Sequence, residues 1–368
     1  MKLSLNDEQL MLQDSVSRFV RDHCGVEVCR SLRDSQQVLD GALWQQMAEL
    51  GWLSLPFSEA DGGLGGSHVE VMVLMQELGR GLVVQPYVST VLTCGALLAR
   101  CDTAIKTRFL EPLIAGQSLW AFAFAEQQGG YQLNAVTTTA TRDGDGFRLD
   151  GEKIAVVNGA AADHLLVTAT VAGASAPGLF LVEDASCTTR RPVALIDGSP
   201  GAAIEFSSTP AIQVAEDGLP LVEAVVDELI IAMGAQALGS MEALLEMTVE
   251  YTKTREQFGQ PISKFQVLQH RMADMYMQCE ALKSLLYDAV LAHLEQRTDR
   301  AQASSALKVK LGEAGRFVSQ QAVQLHGGMG MSDELAVGHH FKALIQLNTM
   351  YGDSGHHLDR FLALGDCA

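Results

Sequence analysis

Apolar residues in the first hundred positions recur every three or four residues, the period of a helix with one buried face. Leu10, Leu12, Val16, Phe19 and Val20 form such a stripe, and Asn6 or Asp7 stands where an N-cap belongs. Helical runs follow at 43–50, 69–78 and 92–99, with a glycine-dense loop from Glu59 to Gly66 among them. From about Ser118 the pattern shortens. Segments 135–141, 147–149, 153–157, 164–170 and 178–182 are rich in Val, Ile, Thr and Phe, and Asp143-Gly144-Asp145-Gly146 and Asp150-Gly151 read as turns between them. This predicts an antiparallel β region. From about Leu219 the helical stripe returns, as Val222, Val225, Val226, Leu229, Ile230 and Met233. The fold class is therefore α+β, with helices over 1–117, strands over 118–218 and helices over 219–368. No strand–GxGxxG–helix unit occurs, which argues against a Rossmann domain.

Composition narrows the class. With 368 residues, 48% of them hydrophobic, the chain can bury a large core. Its formal net charge of -18 repels nucleic acid and anionic membranes, so neither is expected as a partner. An anionic ligand must then be held by local donors such as glycine-loop amides and a few arginines. The seven cysteines, Cys367 included, are odd in number and lack a C-x-x-C, which reads as reduced intracellular thiols. The start carries no basic segment followed by an apolar core, and the apolar stretch 82–99 is broken by Gln85 and Pro86. The expectation is a soluble cytoplasmic protein.

Four segments carry candidate chemistry. In Tyr251-Thr252-Lys253-Thr254-Arg255-Glu256-Gln257-Phe258-Gly259, a helix ending near Phe258-Gly259 would hold the Arg255 guanidinium in its last turn. That suits a phosphate, and equally a helix C-cap. Gln324-Leu325-His326-Gly327-Gly328-Met329-Gly330 places three glycines where a backbone can approach a ligand closely. Phe122–Gly130 lies at the α-to-β boundary, a natural place for a cleft. The fourth, Met350 to His357, is a polar turn near the C-terminus. The pairs His339-His340 and His356-His357 point about 100° apart on a helix, and no acid or cysteine stands at zinc spacing, so no metal is expected. Small residues Gly234, Ala235 and Ala237 fit a roomy acyl pocket, or close helix packing.

Taken together these segments resemble the acyl-CoA dehydrogenase family over essentially the whole chain. The resemblance rests on Trp44, Gly51-Trp52, Leu55-Pro56 and Gly62–Gly66, then Gly151-Glu152-Lys153, Asn158-Gly159 and Ala162-Asp163-His164. It is most specific in Thr254–Gly259 and Gln324–Gly328, about 70 residues apart. It implies a helical N-terminal domain, a central β domain and a C-terminal four-helix domain, usually assembled as a tetramer. The implied cofactor is FAD, the substrate an acyl-CoA, and the onward electron carrier an electron-transfer flavoprotein. Arg255, Phe258 and Gln266 fall on positions that in the family reach the FAD of a neighbouring subunit. Gln324, Gly327 and Gly328 fall on the loop that accepts its ADP portion.

Other positions depart from the family pattern. Ala125 stands where a Thr is common, and Ala155-Val156-Val157 where a Trp-Ile-Thr triplet covers the isoalloxazine ring. The family reaction removes an α proton as hydride passes from the β carbon to the flavin, so a carboxylate must contact the α C–H. Most members place a Glu before a Gly-Thr; aligned through Gly352, this chain has Tyr351. A phenol, with an ordinary pKa of about 10, is no base at neutral pH. Relatives that use the first C-terminal helix instead would place the Glu at Leu229, beside Glu228 and Asp227. Glu228 and Asp353 are the candidate bases. The altered turn and loosened ring contacts are similar to the smaller subunits of bacterial heteromeric acyl-CoA dehydrogenases, of the pimeloyl-CoA or steroid side-chain type. There a partner chain supplies much of the flavin site and the Glu.

Overall fold

The computed structural model describes residues 4–35 and 37–365, and Cys367 lies outside them. The other six cysteines carry free thiols. The chain forms two compact units, each assembled from separate stretches of sequence. The first gathers residues up to Ser31, the segment Ser67–Val83 and everything from Ile230 onward; the second holds 32–66 and Val84–Leu229.

The first unit is helical. Its helix α1 (Asp7–His23) starts on a capping box, in which Asn6 Oδ1 accepts from the Gln9 amide at 2.8 Å and Gln9 returns to the Asn6 amide at 3.0 Å. A short α2 (Val26–Asp34) follows and ends in the second unit, which also holds α3 (Gly41–Glu49); back in the first, α4 (His68–Arg80) opens on a second capping box from Ser67 and Glu70. The stretch 87–114, which belongs to the second unit, is a run of short helical turns, among them α5 (Ala96–Leu98), α6 (Thr103–Ile105) and α7 (Glu111–Ile114). After the strands α8 (Leu219–Thr254) starts in the second unit and continues in the first from Ile230, followed there by α9 (Gln266–Leu294), α10 (Arg300–His326), α11 (Ala336–Thr349) and α12 (Ser354–Gly365). Helices α4 and α8 cross at glycines. A Cβ on Gly79 would fall 2.0 Å from the Gln236 carbonyl oxygen, and one on Gly239 only 1.8 Å from that of Gln76. Gly234 likewise abuts Leu307, and Ala235 and Ala237 are fully buried. The small residues of α8 are packing contacts.

The second unit is built around β1 (Trp120–Ala123), β2 (Thr139–Asp143), β3 (Gly146–Val157), β4 (His164–Val171), β5 (Gly178–Val182), β6 (Thr189–Ala194) and β7 (Pro200–Ala215). Pairing runs β4–β2–β3–β7–β5 and back to β4, closing a ring, with β1 added on β4 and β6 on β7. Closure leaves no free edge among the five ring strands. Phe147, Leu149, Val167, Phe180, Ile204 and Phe206 fill the core. The sheet is mixed, because β4 runs parallel to both β1 and β2. The purely antiparallel expectation failed there, since long-range pairing leaves no trace in a local period of two. Asp150-Gly151 is no turn either. It lies inside β3 as a bulge, where Gly151 at φ +148° passes so close to Thr138 that a Cβ would fall 2.8 Å from its Cα.

Candidate functional site

Two of the expected flavin-facing segments meet in the second unit. The Ile154 amide donates to the Ala125 carbonyl at 2.8 Å, so the segment after β1 and a second bulge of β3, between Lys153 and Val156, are neighbours. Ala155 sits in that bulge in the left-handed region, at φ +50°, and is exposed. A buried ion pair fixes both segments. Lys153 Nζ, with its side chain 0% exposed, donates to Glu126 Oε1 at 2.8 Å, Thr168 Oγ1 at 3.0 Å and the Phe124 carbonyl at 3.1 Å. All three of its N–H groups are thereby used. Glu126 also accepts from both amides and both hydroxyls of Thr137 and Thr138. Burial alone would raise the Glu126 carboxyl, but the bonds from Lys153 and the threonines outweigh it and hold it down at about 2. Burial lowers Lys153 to about 8 against the pull of Glu126, which leaves it charged at neutral pH.

The second set of positions lies in the helical unit. Helix α8 stops at Thr254, earlier than the sequence reading placed its end. Arg255 follows it, and Glu256–Gln257 (β8) pairs with Gln260–Pro261 (β9) in a small hairpin whose tip is Phe258-Gly259. Both tip residues have positive φ, +56° and +79°, the backbone of a primed two-residue turn, and Pro261 cannot continue a helix. The Ile262 amide closes the hairpin on the Arg255 carbonyl at 2.8 Å. Tyr251 and His326 stack at 4.4 Å, which brings the end of α8 beside the end of α10 and so joins the arginine segment to the glycine loop. Arg255, Gln266, Gln324, Gly327 and Gly328 are exposed, and Phe258 is 90% exposed. No side-chain ion pair or hydrogen bond engages Arg255 among the described residues. Cβ atoms added at Gly327 and Gly328 would meet nothing within 4 Å.

The candidate bases already have partners. Glu228 accepts from Arg100 Nη2 at 2.6 Å, within the second unit. Asp353 Oδ1 accepts from the His356 amide at 2.9 Å, in the manner of an N-cap of α12. Leu229 is 2% exposed. Tyr351 occupies the turn between α11 and α12 at φ +55°, followed by Gly352 at +111°.

Family models cover nearly the whole chain: the acyl-CoA dehydrogenase N-terminal domain over residues 6–117, the middle domain over 121–208 and the C-terminal domain over 216–360. The chain belongs to the acyl-CoA dehydrogenase family. It is 31% identical over 341 residues to the short-chain specific acyl-CoA dehydrogenase of Megasphaera elsdenii, covering 84% of this chain and 86% of that one. Among solved structures it is similar to the Tcur3481-Tcur3483 steroid ACAD, at a TM-score of 0.90 and 30% identity over 99% of this chain and 100% of that one. It is also similar to the ChsE4-ChsE5 complex from Mycobacterium tuberculosis, at a TM-score of 0.91 and 26% identity, with 100% of each chain covered.

Acyl-CoA dehydrogenases are FAD-dependent oxidoreductases that act on CH–CH bonds, and the residues present fit one half of that cofactor well. A guanidinium, two carboxamides and an open glycine turn suit the phosphates and ADP of a dinucleotide. Ala125, Ala155, Val156 and Val157, the positions expected on the ring side, carry no side-chain donor. Sequence reasoning missed the Glu126–Lys153 pair beneath these positions, although a Lys inside a strand pattern and a Glu closing an apolar run were the available signal. It also missed the buried Lys308, which stands among apolar positions of α10. Among the described residues, no helix is long and apolar enough to cross a membrane.

Proposed function

We propose that this chain is one subunit of a heteromeric acyl-CoA dehydrogenase that desaturates an acyl-CoA thioester at Cα–Cβ, with a homologous partner chain supplying the carboxylate base. FAD, when bound, takes up the hydride. Arg255, Gln266, Gln324 and the Gly327–Gly328 turn would hold its phosphate side, and an electron-transfer flavoprotein is the expected onward acceptor. One observation carries the reading: both candidate carboxylates are already engaged, Asp353 by the His356 amide and Glu228 by Arg100, while Tyr351 falls where the family resemblance puts the base. A carboxylate that holds an Arg or caps a helix is a weaker base. The two-chain names of the Tcur3481-Tcur3483 and ChsE4-ChsE5 structures support a paired assembly.

A second reading, a non-catalytic subunit that only completes its partner's FAD site, is favoured by the absence of side-chain donors at 125 and 155–157. The decisive measurement is acyl-CoA-dependent reduction of an artificial electron acceptor. We expect none from the FAD-loaded chain alone, and turnover when it is co-expressed with the homologous partner. Turnover by the isolated chain would sink both the borrowed base and the structural-subunit reading. Glu228→Gln and Asp353→Asn would then show which carboxylate abstracts the proton. In the paired enzyme neither substitution is expected to abolish turnover.

A further inference from the structure

The turn that carries Tyr351 is held from beneath by side chains of two helices. Lys308 of α10 is completely buried, and its Nζ donates to the Leu347 carbonyl in the last turn of α11. His357 of α12, 1% exposed, donates from Nε2 to the Tyr351 carbonyl at 3.0 Å. A carbonyl can only accept, so Nε2 carries the proton and Nδ1 is left as an acceptor. Nδ1 faces Ser305 Oγ at 3.4 Å, and Ser305 Oγ in turn accepts from Arg360 Nη1 at 3.0 Å. The same imidazole forms the wall against which Gly352 packs, since a Cβ there would lie 2.7 Å from His357 Nε2. Burial pushes the His357 ring down to about 4, against the pull of the Tyr351 carbonyl, so it stays neutral near pH 7.

An apolar residue would fill the place of Lys308 at lower desolvation cost. What the Lys308 amino group adds is a donor to a helix-end carbonyl four residues before Tyr351; burial lowers this group to about 7 against the pull of Asp353, and it donates in either protonation state. We propose that Lys308 and His357 are positioning residues: together they lock the Tyr351-Gly352-Asp353 turn in its left-handed form, and so fix what the turn presents to the acyl-CoA. The inference rests on the proposed function in one respect, that this turn borders the substrate. Neither residue takes part in the chemistry itself.

The test compares Lys308→Met, His357→Leu and His357→Gln in the fully assembled, FAD-loaded enzyme, with thermal melts as a control for folding. Hydrogen exchange of the peptide spanning 350–353 reads the turn directly. In His357→Leu it should accelerate about tenfold while the amides of α10 keep their protection. In the same variant kcat should fall about 10- to 100-fold with KM and the bound-flavin spectrum little changed. His357→Gln, whose amide nitrogen reaches the same carbonyl, should restore both, and Lys308→Met should act like His357→Leu. Unchanged exchange at 350–353 overturns the proposal, as does faster exchange with an unchanged kcat, or a Gln variant no better than Leu. Failure of the wild-type assembly to turn over any acyl-CoA counts instead against the proposed function, and the exchange comparison alone then decides the clamp.

Discussion

Among the described residues, seven that are not glycine adopt a left-handed backbone, and three of them are positions expected to meet cofactor or substrate: Ala155, Phe258 and Tyr351. Left-handed geometry costs a non-glycine residue roughly 1–2 kcal/mol, so a side chain kept there needs a reason beyond folding. Phe258→Gly should therefore leave the isolated chain as stable or about 1 kcal/mol more so in urea titration, while weakening FAD retention, measured as flavin fluorescence released on gel filtration. Gly352→Ala should act in the opposite direction. Its φ of +111° disfavours a side chain, and the new Cβ would fall 2.5 Å from His356 Cδ2, so a loss of about 2 kcal/mol is expected by chemical denaturation. The segments of Arg255 and of Gln324 with its glycines could be picked out in the sequence because each is a short contiguous signature, and the structure brings their helix ends together through Tyr251 and His326. Glu126–Lys153 was not legible, being 27 residues apart on separate elements, where each residue alone looks like an ordinary surface charge. His357 and Lys308 were hidden for the same reason: only the folded turn brings their shared purpose together.

At the scale of elements, the α, β, α order was readable from the change of hydrophobic period, and the glycine-marked bulge was the misleading part. Asp-Gly signals a turn only when the chain reverses, and at Gly151 β3 continues through it along β7. The strand unit depends on its buried pair. Lys153→Met would leave Glu126 in the interior without its cation, a loss of about 3–5 kcal/mol. Trp44, Trp52 and Trp120 all lie in this unit, so tryptophan fluorescence during denaturation reads that loss selectively. The helical unit has a different weakness. Burial, the largest cause in each case, lowers His293 and His357 to about 4 and His340 to about 3. The unfolded chain, with histidines near 6.5, binds protons that the fold refuses, so stability falls as pH drops from about 6.5 toward 4. Glu126, already ionised down to about 2, protects the strand unit until lower pH. Acid titration should thus remove helical circular dichroism before tryptophan fluorescence shifts; coincident transitions would contradict this.

For the whole molecule, an anionic chain must capture an anionic cofactor, and the exposed apolar residues of the helical unit indicate how. Val267, Tyr276 and Met277 on α9, with Met329 and Met331 beyond α10, are 50–77% exposed in the single chain. Exposed apolar groups in the same unit as the donors Arg255 and Gln324 are what a subunit contact needs, because covering such groups removes water and strengthens nearby charge-assisted bonds. Val267→Glu and Met277→Glu should shift the assembly toward smaller species in sedimentation velocity and lower its flavin content in parallel. Flavin retained at full occupancy by dissociated chains would show that the donors need no neighbour.

The β8–β9 hairpin has a consequence outside catalysis. Its tip offers a protease an aromatic side chain on a two-residue loop, with Phe258 almost wholly in solvent. A lone chain displays that scissile bond, and a chain whose hairpin is seated against a neighbour conceals it. On the proposal that the hairpin seats against a neighbouring subunit, brief treatment with chymotrypsin should cut unassembled copies faster than assembled ones.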